Sequence, residues 1–182
     1  MINGNVFTAK AKAVYSGKKM VLNDVLETDN IPEEFYIDEK KPVKRELIEQ
    51  IDGSVKIIEN IGDKWRYLKG SKRQWKYNKV RGYKYKYSEG EMSFLDDRKK
   101  PSRTIITGEG GASPSRFKHV IEDGSRKRRL VPVELEKLNM FPKNHTLHEG
   151  VTDTKRAFFM GNALVVGVVE KIALTLAKHD NV

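Results

Sequence analysis

Hydrophobic and polar residues alternate along much of the chain, and the period of the alternation changes from region to region. Within residues 62–87, aromatic residues recur at every second position in the groups WRY, WKY and YKYKY, with Lys or Arg between them. A period of two is typical of β-strands. The intervening LKGSKR and NKVRG stretches contain the Gly, Ser and Asn of turns. The pattern predicts a small antiparallel meander with one packed aromatic face and one cationic face.

Other stretches predict the remaining elements. LNDVLE (22–27) predicts a short helix or turn, and KKPVKRELIEQI predicts a helix that begins near Pro42. The β-branched run RTIIT (103–107) predicts a strand that leads into the flexible turn GEGG (108–111). VPVELEKLNMF predicts a helix with Pro132 in its first turn, ended by Pro142.

The last predicted helix is apolar on almost every side. It is expected to begin near Asn162, a good cap residue, and to run through ALVVGVVEKIALTLAK. Its longest apolar stretch, 163–169, is much shorter than the roughly 20 residues that cross a bilayer. The N-terminal MINGN lacks a basic start followed by an apolar run, so no signal peptide and a cytoplasmic location are predicted.

Charge is concentrated in one region. The 182 residues include 35 Lys and Arg against 25 Asp and Glu, a net charge of +10. Residues 62–87 contain ten of these cations, one acid (Asp63) and seven of the sixteen aromatic residues. Cations that neutralise phosphates beside aromatic rings that stack on bases favour a nucleic-acid surface. A solvated basic face over an aromatic core stays open as the alternative.

Residues with catalytic or metal-binding chemistry are scarce. The chain has no cysteine, which excludes disulfides, thiolate metal sites and Cys nucleophiles. His145 and His148 have a spacing that metals can use, but no acidic or Cys partner stands nearby, so no metal is predicted. Neither a Ser-His-Asp arrangement nor a Gly-x-Ser-x-Gly motif can be identified. The residues alone predict a binding unit without chemistry of its own.

Several segments, in order, resemble DNA cytosine-5 methyltransferases. RRLVPVELEKLNMFP (128–142) is similar to the ninth motif of that family, and KRAFFMGNALVVGVV (155–169) to the tenth. PSRTIITGEGG is similar to a segment of the family's target recognition domain, and LNDVLE to the stretch after the eighth motif. Val131 stands where the family usually has Thr, so Glu134 is expected to satisfy free amides of that helix instead.

The resemblance covers nearly the whole chain but only the C-terminal part of the family. It implies an α+β fold, with a small twisted antiparallel β recognition lobe and C-terminal helices that would pack on a missing Rossmann-like domain. The implied division is a DNA-binding recognition domain at 1–127, with its basic aromatic region at 62–125, and a docking segment at 128–182. The Phe-x-Gly-x-Gly and Pro-Cys motifs are absent. Glu-Asn-Ile at 59–61 imitates the family's Glu-Asn-Val motif, but its position marks it as coincidence.

The implied function is DNA recognition and completion of the cofactor domain in an S-adenosylmethionine-dependent enzyme of restriction-modification type. In the complete enzyme the target cytosine is flipped out, a Cys thiolate attacks C6, and C5 takes the methyl group. The chain alone is therefore expected to be inactive. Expected partners are double-stranded DNA and either a catalytic subunit with the first eight motifs or a second copy of the chain. A stand-alone nucleic-acid-binding module is the alternative.

The resemblance also implies site residues. Gly161, Asn162 and Ala163 match positions that approach the methionine part of S-adenosylmethionine, where a helix N-terminus would offer amides to a carboxylate; a plain capped helix is the alternative. Base readout is expected from the loop at 107–116, with Arg103 or Arg116 as guanine readers. The predicted DNA-binding residues are Lys69, Lys72, Arg73, Lys76, Lys79, Arg81, Arg103, Thr104, Ser113, Ser115, Arg116 and Arg128.

Overall fold

The computed structural model describes residues 17–179, together with positions 4–6, 8, 10, 12 and 14. The described part is α+β, and its strands pair as three separate antiparallel hairpins. The predicted class, with small antiparallel sheets and C-terminal helices, is confirmed. The elements are β1 (Pro42–Glu49), β2 (Val55–Asn60), α1 (Ile61–Lys69), β3 (Lys72–Asn78), β4 (Tyr83–Glu89), β5 (Ile121–Asp123), β6 (Arg126–Arg128), α2 (Pro132–Leu138), α3 (Asp153–Asn162) and α4 (Val166–His179).

The first hairpin occupies a stretch for which the sequence pattern predicted a helix, so the helix expected at Pro42 is wrong. β1 and β2 pair antiparallel across a tight turn, in which Gly53 has a φ of 80°. The Asp52 carboxylate accepts hydrogen bonds from the amide and the hydroxyl of Ser54. An Asp-Gly turn followed by a run rich in β-branched residues favours a hairpin over the weaker helical pattern.

The WRY group also differs from its prediction, because it lies in α1 and not in a strand. Asn60 caps this helix, and its side-chain oxygen accepts a hydrogen bond of 2.8 Å from the Asp63 amide. Trp65 is buried whereas Tyr67 is only half-buried. The Asn60 of Glu-Asn-Ile thus has a structural role as a helix cap.

The apolar core joins the two parts of the chain that the sequence divides at 127/128. Helix α2, in the second of these parts, begins at Pro132 as predicted. The Glu134 carboxylate accepts a hydrogen bond of 2.8 Å from the Val131 amide. The expected replacement of the missing Thr cap by Glu134 is therefore confirmed. The division into two domains remains a prediction. The buried apolar cluster consists of Leu22, Val25, Ile121, Leu130, Leu135, Ala157 and Met160.

The segment at 101–120, here called the strap, crosses α3 at two glycines. The strand expected at 103–107 is wrong, because this part of the strap has no strand partner. A Cβ on Gly110 would lie 2.7 Å from the Cα of Thr154, and one on Gly161 would lie 2.3 Å from the amide nitrogen of Thr107. Only glycine allows such a close approach of strap and helix.

The Gly-Asn pair ends a helix and does not begin one. Thr152 caps α3, its hydroxyl accepting a hydrogen bond from the Lys155 amide, and α3 continues to Asn162. After a break of three residues, α4 begins at Val166. The predicted start near Asn162 is therefore wrong, because Thr152 followed by Asp153 provides a stronger helix start ten residues upstream.

Candidate nucleic-acid interface

The third and fourth strands form a two-stranded ribbon whose register decides what each face presents. Trp75 lies opposite Lys86, and Lys76 lies opposite Tyr85. Because side chains alternate along a strand, this register places the aromatic residues of β3 on one face and those of β4 on the other. Both faces therefore mix cations with rings, and the predicted separation into a packed aromatic face and a cationic face is wrong.

The outer face of the ribbon is open to solvent. Trp75 is 50% exposed and Tyr77 is 56% exposed. No acidic residue lies among its six positions, and within the described residues no ion pair involves its three cations. The Lys86 ammonium lies 5.5 Å from the centre of the Trp75 ring. The outer face consists of Arg73, Trp75, Tyr77, Lys84, Lys86 and Ser88.

The inner face is engaged with the rest of the protein at its Lys72–Glu89 end, whereas Tyr83 and Tyr85 near the turn are exposed. The Lys72 ammonium contacts the Glu89 carboxylate and the Leu68 carbonyl, both at 2.7 Å, and the Tyr87 hydroxyl also contacts Glu89. The hydrogen bonds from Lys72 and Tyr87 lower the pKa of Glu89. The inner face and residues 114–117 of the strap border a cleft of about 350 Å³. The inner face consists of Lys72, Gln74, Lys76, Asn78, Tyr83, Tyr85, Tyr87 and Glu89.

Besides Lys72, two further predicted DNA-binding cations are buried, Lys69 and Arg128. The Lys69 ammonium donates a hydrogen bond of 2.7 Å to the Lys118 carbonyl, and burial lowers the pKa of Lys69 to about 8. Arg128 is 1% exposed, and its guanidinium contacts Glu134 at 2.8 Å and Asp123 at 2.7 Å. In this arrangement both cations serve the fold, because a buried charge requires its partners within the protein.

The two expected guanine readers are also occupied. The Arg103 guanidinium forms two hydrogen bonds to Asp96, at 2.6 and 3.1 Å. Arg116 contacts Glu89 at 3.2 Å and the Gly90 carbonyl at 2.6 Å. Neither guanidinium therefore has a free pair of N–H donors with which to bind the two acceptors of a guanine. Arg116 instead fastens the strap to the ribbon.

Two buried cations hold the loop at 107–116 through hydrogen bonds to its backbone carbonyls. The Lys118 ammonium donates hydrogen bonds of 2.6 Å to the carbonyls of Gly111 and Ser113. Arg129 donates to the carbonyls of Gly110 and Gly111 at 2.9 and 3.1 Å. Burial lowers the pKa of Lys118. The glycine-rich turn, expected to be flexible, is therefore fixed through its carbonyl groups.

A buried network of hydrogen bonds, which no sequence motif indicated, connects three parts of the strap. The His119 ring lies 2.9 Å from the Glu109 carboxylate and 3.1 Å from the Ser102 hydroxyl, while the second Glu109 oxygen accepts the His119 amide. His119 and Glu109 are fully buried. Because these residues lie up to 17 positions apart and follow no known motif, only the fold could bring them together. Within the described residues, no group of three His, Cys, Asp or Glu has metal-site geometry.

The remaining predicted DNA-binding residues are accessible but not all in one place. Arg73, Lys79 and Arg81 are exposed on the ribbon and its turn, and Lys76 is half-buried over the Tyr87 ring. Ser113 is exposed and Ser115 half-buried in the strap loop. Thr104 is also exposed, but it lines a groove of about 370 Å³ beside the α3–α4 break.

The residues expected to approach the cofactor lie at a helix C-terminus. The side-chain nitrogen of Asn162 donates to the Phe158 carbonyl at 3.0 Å, and the Ala163 amide donates to the Met160 carbonyl. Gly161 is explained by its contact with the strap. The end of a helix presents carbonyls, which disfavour a carboxylate. The helix N-terminus expected to hold the carboxylate of S-adenosylmethionine is therefore not formed by these residues, and their approach to the methionine part remains a prediction.

The last helix exposes apolar side chains along its length. Its exposed residues, with the preceding break, are Leu164, Val166, Val168, Val169, Ile172, Leu174 and Leu176. By length and composition alone the stretch Asp153–Lys178 could cross a membrane, with 17% of its most apolar window buried. One such stretch is weak support for a membrane span, and here the helix is interrupted between Asn162 and Val166.

Comparison with known proteins gives two matches. Residues 3–178 match the family model of the C-5 cytosine-specific DNA methylases. The chain is also 36% identical over 169 residues to the type II methyltransferase M.Sau3AI of Staphylococcus aureus. That alignment covers 92% of this chain and 39% of the relative, so the chain spans about two fifths of the relative's length. No solved structure gives a significant match to the chain.

Proposed function

Since this chain belongs to the C-5 cytosine-specific DNA methylases, we propose that it is the target-recognition and C-terminal part of such an enzyme. The β-rich region binds duplex DNA, and the C-terminal helices dock on a polypeptide that carries the catalytic motifs. A stand-alone nucleic-acid-binding module is the competing function, favoured by the accessible cations of the ribbon.

The observation that carries this proposal is a match over nearly the whole chain in a sequence without cysteine. Methyl transfer to C5 of cytosine in this family proceeds through attack of a Cys thiolate on C6, and no other side chain here replaces that thiol. The covalent step must therefore use a residue from another polypeptide segment. This chain contributes DNA binding and part of the enzyme's internal packing.

The C-terminal helix supports docking on another polypeptide. Its apolar surface is too large for the small core of this chain to cover, and such patches mark interaction sites. Glu170 and Lys171 lie in the middle of the helix, where a bilayer would impose a high cost on both charges. A protein partner accommodates them at the rim of the interface.

S-adenosylmethionine supplies the methyl group in this family. Gly161, Asn162 and Ala163 remain the residues proposed to approach its methionine part, and the other cofactor contacts are assigned to the polypeptide that carries the catalytic motifs. A role in restriction-modification and a cytoplasmic location belong to the same proposal and rest on family membership.

The test is a methyl-transfer assay with labelled S-adenosylmethionine and duplex DNA. The pure chain should leave the DNA unlabelled, because it lacks the thiolate. Addition of a polypeptide with the Pro-Cys and Phe-x-Gly-x-Gly motifs, such as the N-terminal part of the Staphylococcus relative, should restore labelling. A matched polypeptide with that Cys replaced by Ser is the control. Reproducible 5-methylcytosine from the pure chain, or no labelling and no DNA binding with either addition, would contradict the proposal.

A further inference from the structure

We propose that the outer face of the β3–β4 ribbon is the surface that enters the DNA major groove, and that the inner face is structural. The inference rests on the proposed function, which assigns DNA binding to this chain without assigning a face. It names Trp75, Tyr77, Lys84 and Lys86 as DNA-contacting residues together with Arg73, and it removes Lys72 from that role.

The shape of the ribbon fits this ligand. A two-stranded antiparallel ribbon is narrow enough to lie in the major groove of B-form DNA. β3 and β4 pair with each other over seven residues, and within the described residues no third strand joins their sheet. The ribbon therefore forms a sheet of its own, in contact with the first hairpin at one end, where the Arg73 carbonyl accepts a hydrogen bond of 3.0 Å from the Ile51 amide.

The charges distinguish the two faces. Arg73, Lys84 and Lys86 give the outer face three positive charges and no negative charge. On the inner face, Glu89 is present and Lys72 is already paired with it. A phosphate approaching the inner face would meet the carboxylate of Glu89, whereas one approaching the outer face meets cations without acidic neighbours.

Exposed rings occur on both faces, but the two most exposed lie on the outer face, whereas Tyr83 and Tyr85 of the inner face are 47% and 37% exposed. Trp75 and Tyr77 are both at least half exposed, although a buried position is the usual place for such large rings. Against DNA, the indole and phenol rings find apolar partners in thymine methyl groups and deoxyribose, while the neighbouring cations reach the flanking phosphates.

The inner face cannot be released for DNA without loss of internal contacts. The Tyr67 hydroxyl donates to the Gln74 side chain at 3.0 Å, and Arg116 fastens the strap to Glu89. Phosphate binding at Lys72 would remove a partner from a nearly buried ammonium. The geometry therefore leaves one face for the ligand and uses the other as the attachment to the lobe.

The test compares two cations of the same ribbon that differ in face. In Lys86→Ala and in Lys76→Ala, one charge that lies over an aromatic ring is removed, from the outer face in the first variant and from the inner face in the second. Binding of the full chain to a short mixed-sequence duplex is measured over a series of salt concentrations. Lys86→Ala should make the slope of log K against log salt shallower by about 0.9, and the double variant Lys84→Ala/Lys86→Ala by about 1.8. Lys76→Ala should change the slope by less than half as much as Lys86→Ala.

Trp75→Ala tests the apolar part of the face, with Tyr85→Ala on the inner face as its control. Trp75→Ala should weaken binding about tenfold at every salt concentration without a change of slope, which separates it from a phosphate contact. Equal effects of Lys76→Ala and Lys86→Ala, or a larger effect of Tyr85→Ala than of Trp75→Ala, would overturn the inference and leave the proposed function intact. If the unchanged chain, with or without the catalytic polypeptide, does not bind duplex DNA, the proposed function itself fails.

Discussion

Buried cations order the strap and the residues packed against it. Lys69, Lys118 and Arg129 each direct donors at backbone carbonyls that no strand or helix satisfies. A carbonyl buried without a donor costs about 1–3 kcal/mol, so these side chains replace regular secondary structure in the strap. Their positive charge, which in the sequence resembles a DNA-binding signal, is therefore partly used inside the protein.

The pH dependence of stability should reveal the buried Lys69. Its folded pKa of about 8 lies below the ordinary value of 10.5, so between these pH values the unfolded chain binds more protons and the free energy of unfolding rises with pH. Lys69→Met should remove this rise. The stability of the parent relative to the variant should therefore increase as the pH rises from about 8 toward 10.5.

The measurement is urea unfolding at several pH values. The Lys118 carbonyl keeps a second donor, the Arg103 guanidinium at 3.3 Å, so the substitution leaves no orphaned acceptor. An identical pH slope in parent and Lys69→Met would show that Lys69 titrates normally.

At the scale of elements, the strap and α3 depend on two glycines where their backbones meet. Gly161→Ala would place a methyl group against the backbone of Ile106 and Thr107, which cannot move without displacing the strap. We expect a loss of about 1–3 kcal/mol in the free energy of unfolding, typical of overpacking. Gly90→Ala is the matched control, because a Cβ at Gly90 meets nothing within 4 Å and should be nearly neutral. Equal unfolding midpoints for both variants would show that the strap does not pack as described.

The elements that were predicted correctly have local signals, and the others do not. α2 is predictable because Pro132 and Glu134 fix its start within four residues. The register of the ribbon cannot be predicted in this way, because it depends on how the Asn78–Gly82 turn closes. That turn is closed by a hydrogen bond of 2.9 Å between the ends, while the Asn78 side chain binds two amides within it.

The candidate site shows the same limit. Composition alone located the cations at 62–87, but it could not separate Lys72, which is paired with Glu89 across the ribbon, from Arg73, which faces solvent. Which cation is free depends on partners distant in sequence, such as the Glu89 carboxylate for Arg116 and the Lys118 carbonyl for Lys69. The two-residue period of a strand predicts which side chains share a face, but not which groups each face contacts.

For the whole molecule, the exposed apolar surface of the C-terminal helix is the feature that indicates a partner. About 200 Å² of apolar surface left in water forfeits about 5 kcal/mol. Val168→Asp should therefore abolish co-purification with a catalytic polypeptide, or dissociate a dimer if a second copy covers the helix. The thermal midpoint of the isolated chain should stay unchanged, because Val168 is 55% exposed within it.

Glu170→Gln changes charge on the same helix and serves as the control, with association expected to persist. Sedimentation velocity of the chain alone and mixed with the catalytic polypeptide distinguishes the two occupants. Unaltered association of the Val168→Asp variant would exclude this surface from the interface.

The register of the ribbon also has an evolutionary consequence. A one-residue insertion in the turn at 78–82 would shift the pairing by one position and turn every side chain of one strand to the opposite face. All five rings of β3 and β4 would then share one face, and Lys76, Lys84 and Lys86 the other. Related enzymes could thus acquire new DNA preferences through a change in turn length, with every residue of both strands retained.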